Sequence, residues 1–285
     1  MPNLYCDCLA YWGDYLRGDT GPTTLWFQAG WEFSINKGGI SATTLKSRLE
    51  LNSYQTAWSM LHKYRRAMAL AGREKLSGIV EVDETAIGGK KSGKPGRGAA
   101  GETRVAIAIE LKDPQGFGRV RLRVIPDYTA KSLGAFLKET VEEGSTIVTD
   151  DWKSYPPATR GKYTHIAHNQ STSTLKPHEL LPGVHRVASL LKRWILGTLQ
   201  GSVSPEHVPS YLDEFTFRFN RPNSEARGML FFRLMALAAI AGPVTYKELT
   251  KAGSTGNPFP APPRGTHRSP PSLAARDPSR PWRTL

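Results

Sequence analysis

The sequence predicts an α/β protein in which a small helical region precedes a mixed sheet flanked by helices. Three observations support this prediction. Residues 23–72 carry apolar side chains at helical spacing, interrupted by one turn. Residues 79–149 contain three short apolar segments, a helical segment and then another short apolar segment. Helical spacing returns at Pro182 and continues to about residue 242.

The helical region has the pattern of a helix-turn-helix. Residues 1–22 show no clear period, and we expect an irregular N-terminus there. Ser41 can cap a first helix and Ser53 a second, with the turn at residues 51–52. We therefore predict a DNA-binding region over residues 23–72.

The second of these helices is amphipathic and strongly basic. Its apolar positions fall on one side, which leaves Lys63, Arg65 and Arg66 for solvent or DNA. A plain helical hairpin with a solvated basic face explains the same pattern. The sequence leaves both interpretations open.

The sheet is predicted from short segments rich in β-branched residues. The first is centred on Val80 and runs out into a turn at Asp83. In the third, arginines alternate with apolar residues, so one face is expected in the core and the other to be basic. The fourth strand ends on Asp150. After the first strand, the predicted elements are two strands, a helix and a strand, over residues 105–110, 120–125, 132–141 and 146–149.

Residues 88–98 are rich in glycine and cations, and they predict a mobile basic loop in which Lys90 and Lys91 can meet DNA. No G-x-G-x-x-G follows the first strand, which excludes a dinucleotide-binding fingerprint. No G-x-x-x-x-G-K-[ST] occurs either, which excludes a Walker loop.

The remainder completes a catalytic domain predicted over residues 77–242. A fifth strand is expected at 163–167, and Pro182 suits the first turn of a helix. Two more helices follow, at about 205–219 and 225–241. Residues 243–285 are basic and rich in proline, so we expect a disordered tail.

Composition points to a polyanionic partner. The 285 residues carry 38 Lys plus Arg against 25 Asp plus Glu, a net charge of +13. This favours nucleic acid, although ribosomal and membrane-surface proteins share the profile. No apolar run approaches the roughly 20 residues of a membrane span, so we expect a bacterial cytoplasmic protein associated with the nucleoid. Cys6 and Cys8 cannot supply four metal ligands and are interpreted as free thiols.

Two carboxylates are the centre of the predicted chemistry. If the first and fourth strands are neighbours, Asp83 and Asp150 converge at one edge of the sheet. Carboxylate oxygens suit Mg²⁺ or Mn²⁺, and two such ions about 4 Å apart can promote phosphodiester displacement. His185, near a helix start that favours neutral imidazole, is the candidate third ligand. Lys192 lies seven residues later, on the same helix face, and can contact a phosphate beside Arg186 and Arg193.

Other residues compete for these roles. Asp83 could only cap a turn, since aspartate is common at strand ends. Asp151 competes with Asp150, and Glu179 competes with His185. Glu84 could support the site from behind Asp83.

Four blocks of sequence resemble insertion-sequence transposases of the DDE superfamily, and the ISXO-like group in particular. The blocks are VDET with IGGK within 82–90, TDDWKSY at 149–155, HRVASLLKRWILG at 185–197 and YLDEFTFRFNR at 211–221. The resemblance covers residues 22–249 and implies a ribonuclease-H-like catalytic domain. It also implies that Asp83, Asp150 and His185 bind metal, with Lys192 as the fourth member of the tetrad.

The resemblance further implies an activity. Such enzymes hydrolyse DNA at transposon ends and then use the freed 3′-hydroxyl to attack target DNA. Their expected partners are terminal inverted repeats, target DNA and further copies of the chain on paired ends. Two other hypotheses remain open: a sequence-specific DNA-binding protein that no longer cuts, and a structure-selective nuclease of the same fold.

Overall fold

The computed structural model describes residues 21–69, 74–88, 102–112, 116–169, 176–201, 203–221, 227–241 and 244–251. Lys90 and Lys91 lie outside these residues, as do the segments 1–20 and 252–285. The described helices are α1 (Thr23–Ile35), α2 (Ala42–Arg48), α3 (Tyr54–Ala69), α4 (Ala130–Thr140), α5 (Tyr155–Thr159), α6 (Pro177–Leu180), α7 (Pro182–Leu199), α8 (Val208–Phe219), α9 (Arg227–Ala241) and α10 (Tyr246–Lys251). The strands are β1 (Ile79–Ile87), β2 (Thr103–Leu111), β3 (Phe117–Val124), β4 (Thr146–Asp150) and β5 (Thr164–His168).

The five strands form one mixed sheet in the order β3-β2-β1-β4-β5. β1, β2 and β3 make an antiparallel meander, whereas β4 runs parallel to β1 and β5 parallel to β4. Helices pack on both faces. This arrangement confirms the predicted α/β fold of ribonuclease-H-like type, and it makes the first and fourth strands neighbours as the predicted site requires.

The two faces of β1 lead to two separate cores. Val80 and Val82 point toward α4 and α5, where they pack with Phe136 and Tyr155. Directly opposed residues on antiparallel strands share a face. Ile109 is opposite Glu81 and Ile107 is opposite Asp83, and both isoleucines pack under α7 and α8. The side chains of Glu81 and Asp83 therefore lie on the α7 side of the sheet.

The predicted end of β1 is wrong. Asp83 does not close the strand, because pairing with β2 continues from Asp83 opposite Ile107 to Ile87 opposite Thr103. The strand stops at Gly88, whose φ of 86° falls in the left-handed region that glycine adopts readily. Asp83 is thus held within the ladder rather than in a turn.

The helical region has its own core. Side chains of α1, α2 and α3 pack with α9, which follows the sheet and comes much later in the chain. Ser41 caps α2 as predicted, since its hydroxyl accepts a bond from the Thr44 N–H at 3.0 Å. Contacts between α3 and α8 cross the boundary expected near residue 75. The division into two domains stays a prediction.

Among the described helices, none combines the length and apolarity that a membrane crossing needs.

Two of the cations predicted on the solvent face of α3 are buried, so that part of the prediction is wrong. Lys63 is 1% exposed, and its ammonium lies 5.4 Å from the centroid of the Trp26 ring. Arg65 is 2% exposed and donates to Glu214 of α8 at 2.9 Å. Both side chains serve packing and pairing within the protein. Arg66 is half-buried.

The arginines of β3 do not form the open basic face that was expected. Arg119 pairs with Glu110 at 2.7 Å and Arg123 pairs with Glu139. Arg121 is 6% exposed. Acidic partners on neighbouring elements offset the charge that the strand sequence alone suggests.

Buried histidines predict a loss of stability in mild acid. Burial lowers the pKa of His62 well below its ordinary value, and the nearby charges of Arg65 and His207 lower it further. Because the folded state holds His62 neutral, the unfolded chain binds the extra proton below about pH 6.5. Stability is then full above that pH and decreases as the pH falls toward the lowered folded pKa, by at most about 1.4 kcal/mol per pH unit for this residue.

Urea unfolding between pH 8 and pH 5 tests this prediction. We expect the slope of unfolding free energy against pH to become shallower in His62→Gln, because a titrating group is removed. His207, whose pKa is also lowered by burial, should keep part of the slope. An unchanged slope in His62→Gln would contradict the assignment.

Candidate active site

Asp83 and Asp150 lie side by side on neighbouring parallel strands. β1 and β4 pair from Ile79 opposite Thr146 to Glu81 opposite Val148, and Asp83 and Asp150 each lie two residues beyond this last pair. Adjacent strands are about 4.8 Å apart, and side chains two residues apart share a face. Both aspartates are half-buried. The two carboxylates that the sequence singled out therefore project from the same face of the sheet, just beyond the paired part of β1 and β4.

A buried tyrosine contacts the acid that follows Asp83 in the sequence. Burial raises the pKa of Tyr155 well above its ordinary value. The charge of Glu84 and its hydrogen bond to the phenol raise this pKa further, and the charges of Asp83 and Asp150 make smaller contributions in the same direction. The Tyr155 hydroxyl donates to Glu84 Oε1 at 2.6 Å. The charges of three acidic groups therefore act on this phenol, and its hydrogen bond holds Glu84 on the opposite face of β1 from Asp83.

Helix α7 carries the other two members of the predicted set. It begins at Pro182, as the sequence predicted, and its N-terminal turn lies over β1. His185 is half-buried, and its Nε2 atom is buried without a hydrogen-bond partner among the described residues. Lys192 is exposed two turns further along the helix. Arg186 and Arg193 are also exposed, and the Arg186 guanidinium lies 5.8 Å from the Phe117 ring centroid.

The structure assembles only part of the set of residues predicted to bind metal. The structure brings Asp83 and Asp150 together, but within its described ranges no group of three or more His, Cys, Asp or Glu side chains is arranged to hold a metal ion. The donors that are present still suit the predicted cation. Mg²⁺ keeps several waters and is commonly held by one or two carboxylates plus substrate phosphates. The unpartnered Nε2 of His185 is a further available donor.

The competing acids have other partners. Asp151 is exposed and accepts a bond from the Asn169 amide at 2.9 Å. Glu179 is exposed and accepts a hydrogen bond from the Lys176 N–H at 2.7 Å, at the start of the short helix α6. Neither carboxylate is held inside the sheet as Asp83 and Asp150 are.

Sequence reasoning missed what Glu81 and Tyr155 do. Glu81 is 2% exposed and accepts hydrogen bonds from the backbone of α7. Its position two residues before Asp83 was the available signal, because it places both carboxylates on one face. Tyr155 gave no such signal. Its role depends on Glu84, which lies 71 residues earlier in the chain.

Comparison with known proteins gives a family match that includes this site. Residues 75–220 match the family model described as the ISXO2-like transposase domain. A curated protein of Haemophilus influenzae, named an uncharacterized transposase-like protein, is 29% identical over 107 residues, which cover 38% of this chain and 84% of that protein. A chain in the crystal structure of a pre-cleavage Mos1 transpososome is 15% identical, with a TM-score of 0.25 over 72% of this chain and 75% of that one.

Proposed function

Because the chain belongs to the family of ISXO2-like transposase domains, we propose that it cuts DNA at the ends of an insertion sequence and joins those ends to target DNA. The observation that supports this most directly is the pair Asp83 and Asp150 on neighbouring parallel strands. Two carboxylates fixed by a sheet keep their spacing without help from a mobile loop. The proposed reaction is hydrolysis of a phosphodiester followed by transesterification.

Asp83 and Asp150 would hold Mg²⁺ or Mn²⁺, with the imidazole of His185 as the third donor. When bound, such ions activate the attacking oxygen and stabilise the leaving oxygen of an in-line displacement. The number of ions, two in our proposal, follows from the chemistry of this displacement rather than from the count of donors.

Cations on α7 are the proposed DNA contacts near the reacting phosphate. Lys192, Arg186 and Arg193 are exposed on the helix that also carries His185. An ammonium at Lys192 can neutralise one phosphate oxygen, whereas the two guanidinium groups can grip others through paired N–H donors. In the helical region Arg66 remains a proposed contact. Lys63 and Arg65 are not, because they are buried.

A strand-transfer assay with the element's own terminal repeats tests the proposal. With Mg²⁺ or Mn²⁺ we expect cleaved ends and then joined products, formed by copies of the chain assembled on paired ends. Specific binding of the repeats without cleavage would indicate a DNA-binding protein that no longer cuts. Cleavage of branched DNA without joining would indicate a structure-selective nuclease.

A further inference from the structure

Glu81 holds the start of α7 against the central strand of the sheet. Its Oε2 atom accepts hydrogen bonds from the N–H groups of Gly183 at 2.8 Å and Val184 at 3.0 Å. Glu81 is 2% exposed, so these bonds are shielded from water. The two partners lie more than 100 residues later in the chain, and the contact therefore ties together distant parts of the fold.

The helix lacks a local cap, which explains why a carboxylate from β1 is used. Leu181 occupies the N-cap position, and no side-chain cap bond forms there. The first N–H groups of a helix have no partner within the helix, and they attract negative charge. Pro182 contributes no N–H. Gly183 and Val184 supply the next two, and Glu81 accepts both.

The contact is closely packed around Gly183. A Cβ atom at this position would lie 2.8 Å from Glu81 Oε2, 2.9 Å from Phe117 Cε1 and 3.0 Å from Ile109 Cγ2. Real Cβ atoms essentially never come closer than 3.0 Å to another heavy atom, as this one would to Glu81 and Phe117. Glu81 and Ile109 are buried, so a larger residue at position 183 must displace these side chains or the N-terminal turn of α7.

This contact fixes the two elements that carry the proposed metal donors. Glu81 and Asp83 are two residues apart on one face of β1, and His185 follows Val184 directly on α7. We propose that Glu81 is a positioning residue for the active site, holding the helix of His185 and Lys192 in register with Asp83. The inference rests on the proposed function, and it assigns Glu81 no contact with DNA or the reacting atoms.

Matched glycine substitutions on α7 give the sharpest test. Gly183→Ala places a methyl group 2.8 Å from Glu81 Oε2 and disturbs its contact with the N-terminal turn, whereas a Cβ at Gly197 on the same helix meets nothing within 4 Å. We expect Gly183→Ala to lower kcat for cleavage of terminal-repeat DNA by about 10²-fold, the typical cost of a displacement of about 1 Å at a reacting centre. KM for DNA should stay within about threefold, since the exposed cations remain. Gly197→Ala should match the unmodified chain in both constants.

Substitutions of Glu81 separate positioning from simple stability. Glu81→Gln keeps an oxygen that can accept both N–H bonds and should retain kcat within about tenfold. Glu81→Leu should reproduce the loss seen in Gly183→Ala. Mn²⁺-dependent broadening of the imidazole NMR signals of His185, assigned with His185→Gln, should weaken in Glu81→Leu and persist in Glu81→Gln.

The outcomes distinguish this inference from the function on which it rests. If the unmodified chain cuts no terminal-repeat DNA, the proposed function fails and the positioning role fails with it. If the unmodified chain cuts while folded Glu81→Leu and Gly183→Ala cut equally well, only the positioning role is overturned. Should Glu81→Leu fail to fold by circular dichroism, the comparison of Gly183→Ala with Gly197→Ala decides.

Discussion

Asp83→Asn and Asp150→Asn are each expected to lower the rate of metal-dependent DNA cleavage by at least about 10³-fold, equivalent to about 4 kcal/mol of transition-state stabilisation. The two carboxylates lie side by side on β1 and β4, so removing either charge should weaken binding of the cation that we propose they share. Asparagine keeps the size of the side chain. It also keeps an oxygen that can accept the bonds now made with the backbone N–H groups of Glu84 and Trp152.

Asp151→Asn is the matched control. This acid is adjacent to Asp150 in sequence, but it is exposed and bonded to Asn169. We expect its cleavage rate to stay within about threefold of the unmodified chain, because its carboxylate is not held in the sheet. Binding of terminal-repeat DNA, measured by gel shift, should survive in all three variants. Full cleavage activity in either Asp83→Asn or Asp150→Asn would exclude the proposed site.

The neighbouring aspartates could be predicted from sequence because the information is local. An apolar run of β-branched residues marks each strand, and each aspartate follows its run directly. Only the adjacency of β1 and β4 had to be assumed, and the sheet order confirms it. The start of α7 was predicted for the same kind of reason, since Pro182 followed by apolar residues at helical spacing is a local signal.

The parts that could not be predicted depend on distant partners. Nothing between Asp83 and Ile87 signals a strand strongly, yet the ladder with β2 extends β1 through these residues. Likewise Arg65 has the sequence context of a solvent-facing helix cation, but its partner Glu214 lies 149 residues away. Glu81 is recognised as a cap only once α7 is seen above it. In each case a long-range contact overrides the local propensity.

The buried ion pair between Arg65 and Glu214 gives the second large expected effect, this time on stability. Glu214 is fully buried and accepts from Arg65 Nε at 2.9 Å and from Arg218 Nε at 2.8 Å. Glu214→Leu leaves Arg65 as a buried cation without its carboxylate. Breaking such a pair from one side typically costs about 3–5 kcal/mol, because the remaining charge is neither hydrated nor paired. We expect a decrease of that size in the free energy of unfolding measured in urea.

The same network predicts an order among variants. Arg65→Met should cost less than Glu214→Leu, because Glu214 then keeps its bond to Arg218. The double variant should recover part of the loss, since it buries no unpaired Arg65 and no unpaired Glu214. Glu143→Gln, which breaks the exposed pair with Lys162, should leave the unfolding transition nearly unchanged.

The order matters because Arg65 lies on α3 and Glu214 on α8, so the pair joins the helical region to the helices that pack on the sheet. Arg218 extends the link by donating to the carbonyl oxygens of Phe33 and Asn36 at the end of α1. If the link holds the two regions in one cooperative unit, Glu214→Leu should separate a single urea transition into two, observed by different probes. One shifted but still single transition would mean that the shared apolar packing of α3, α8 and α9 is sufficient to couple them.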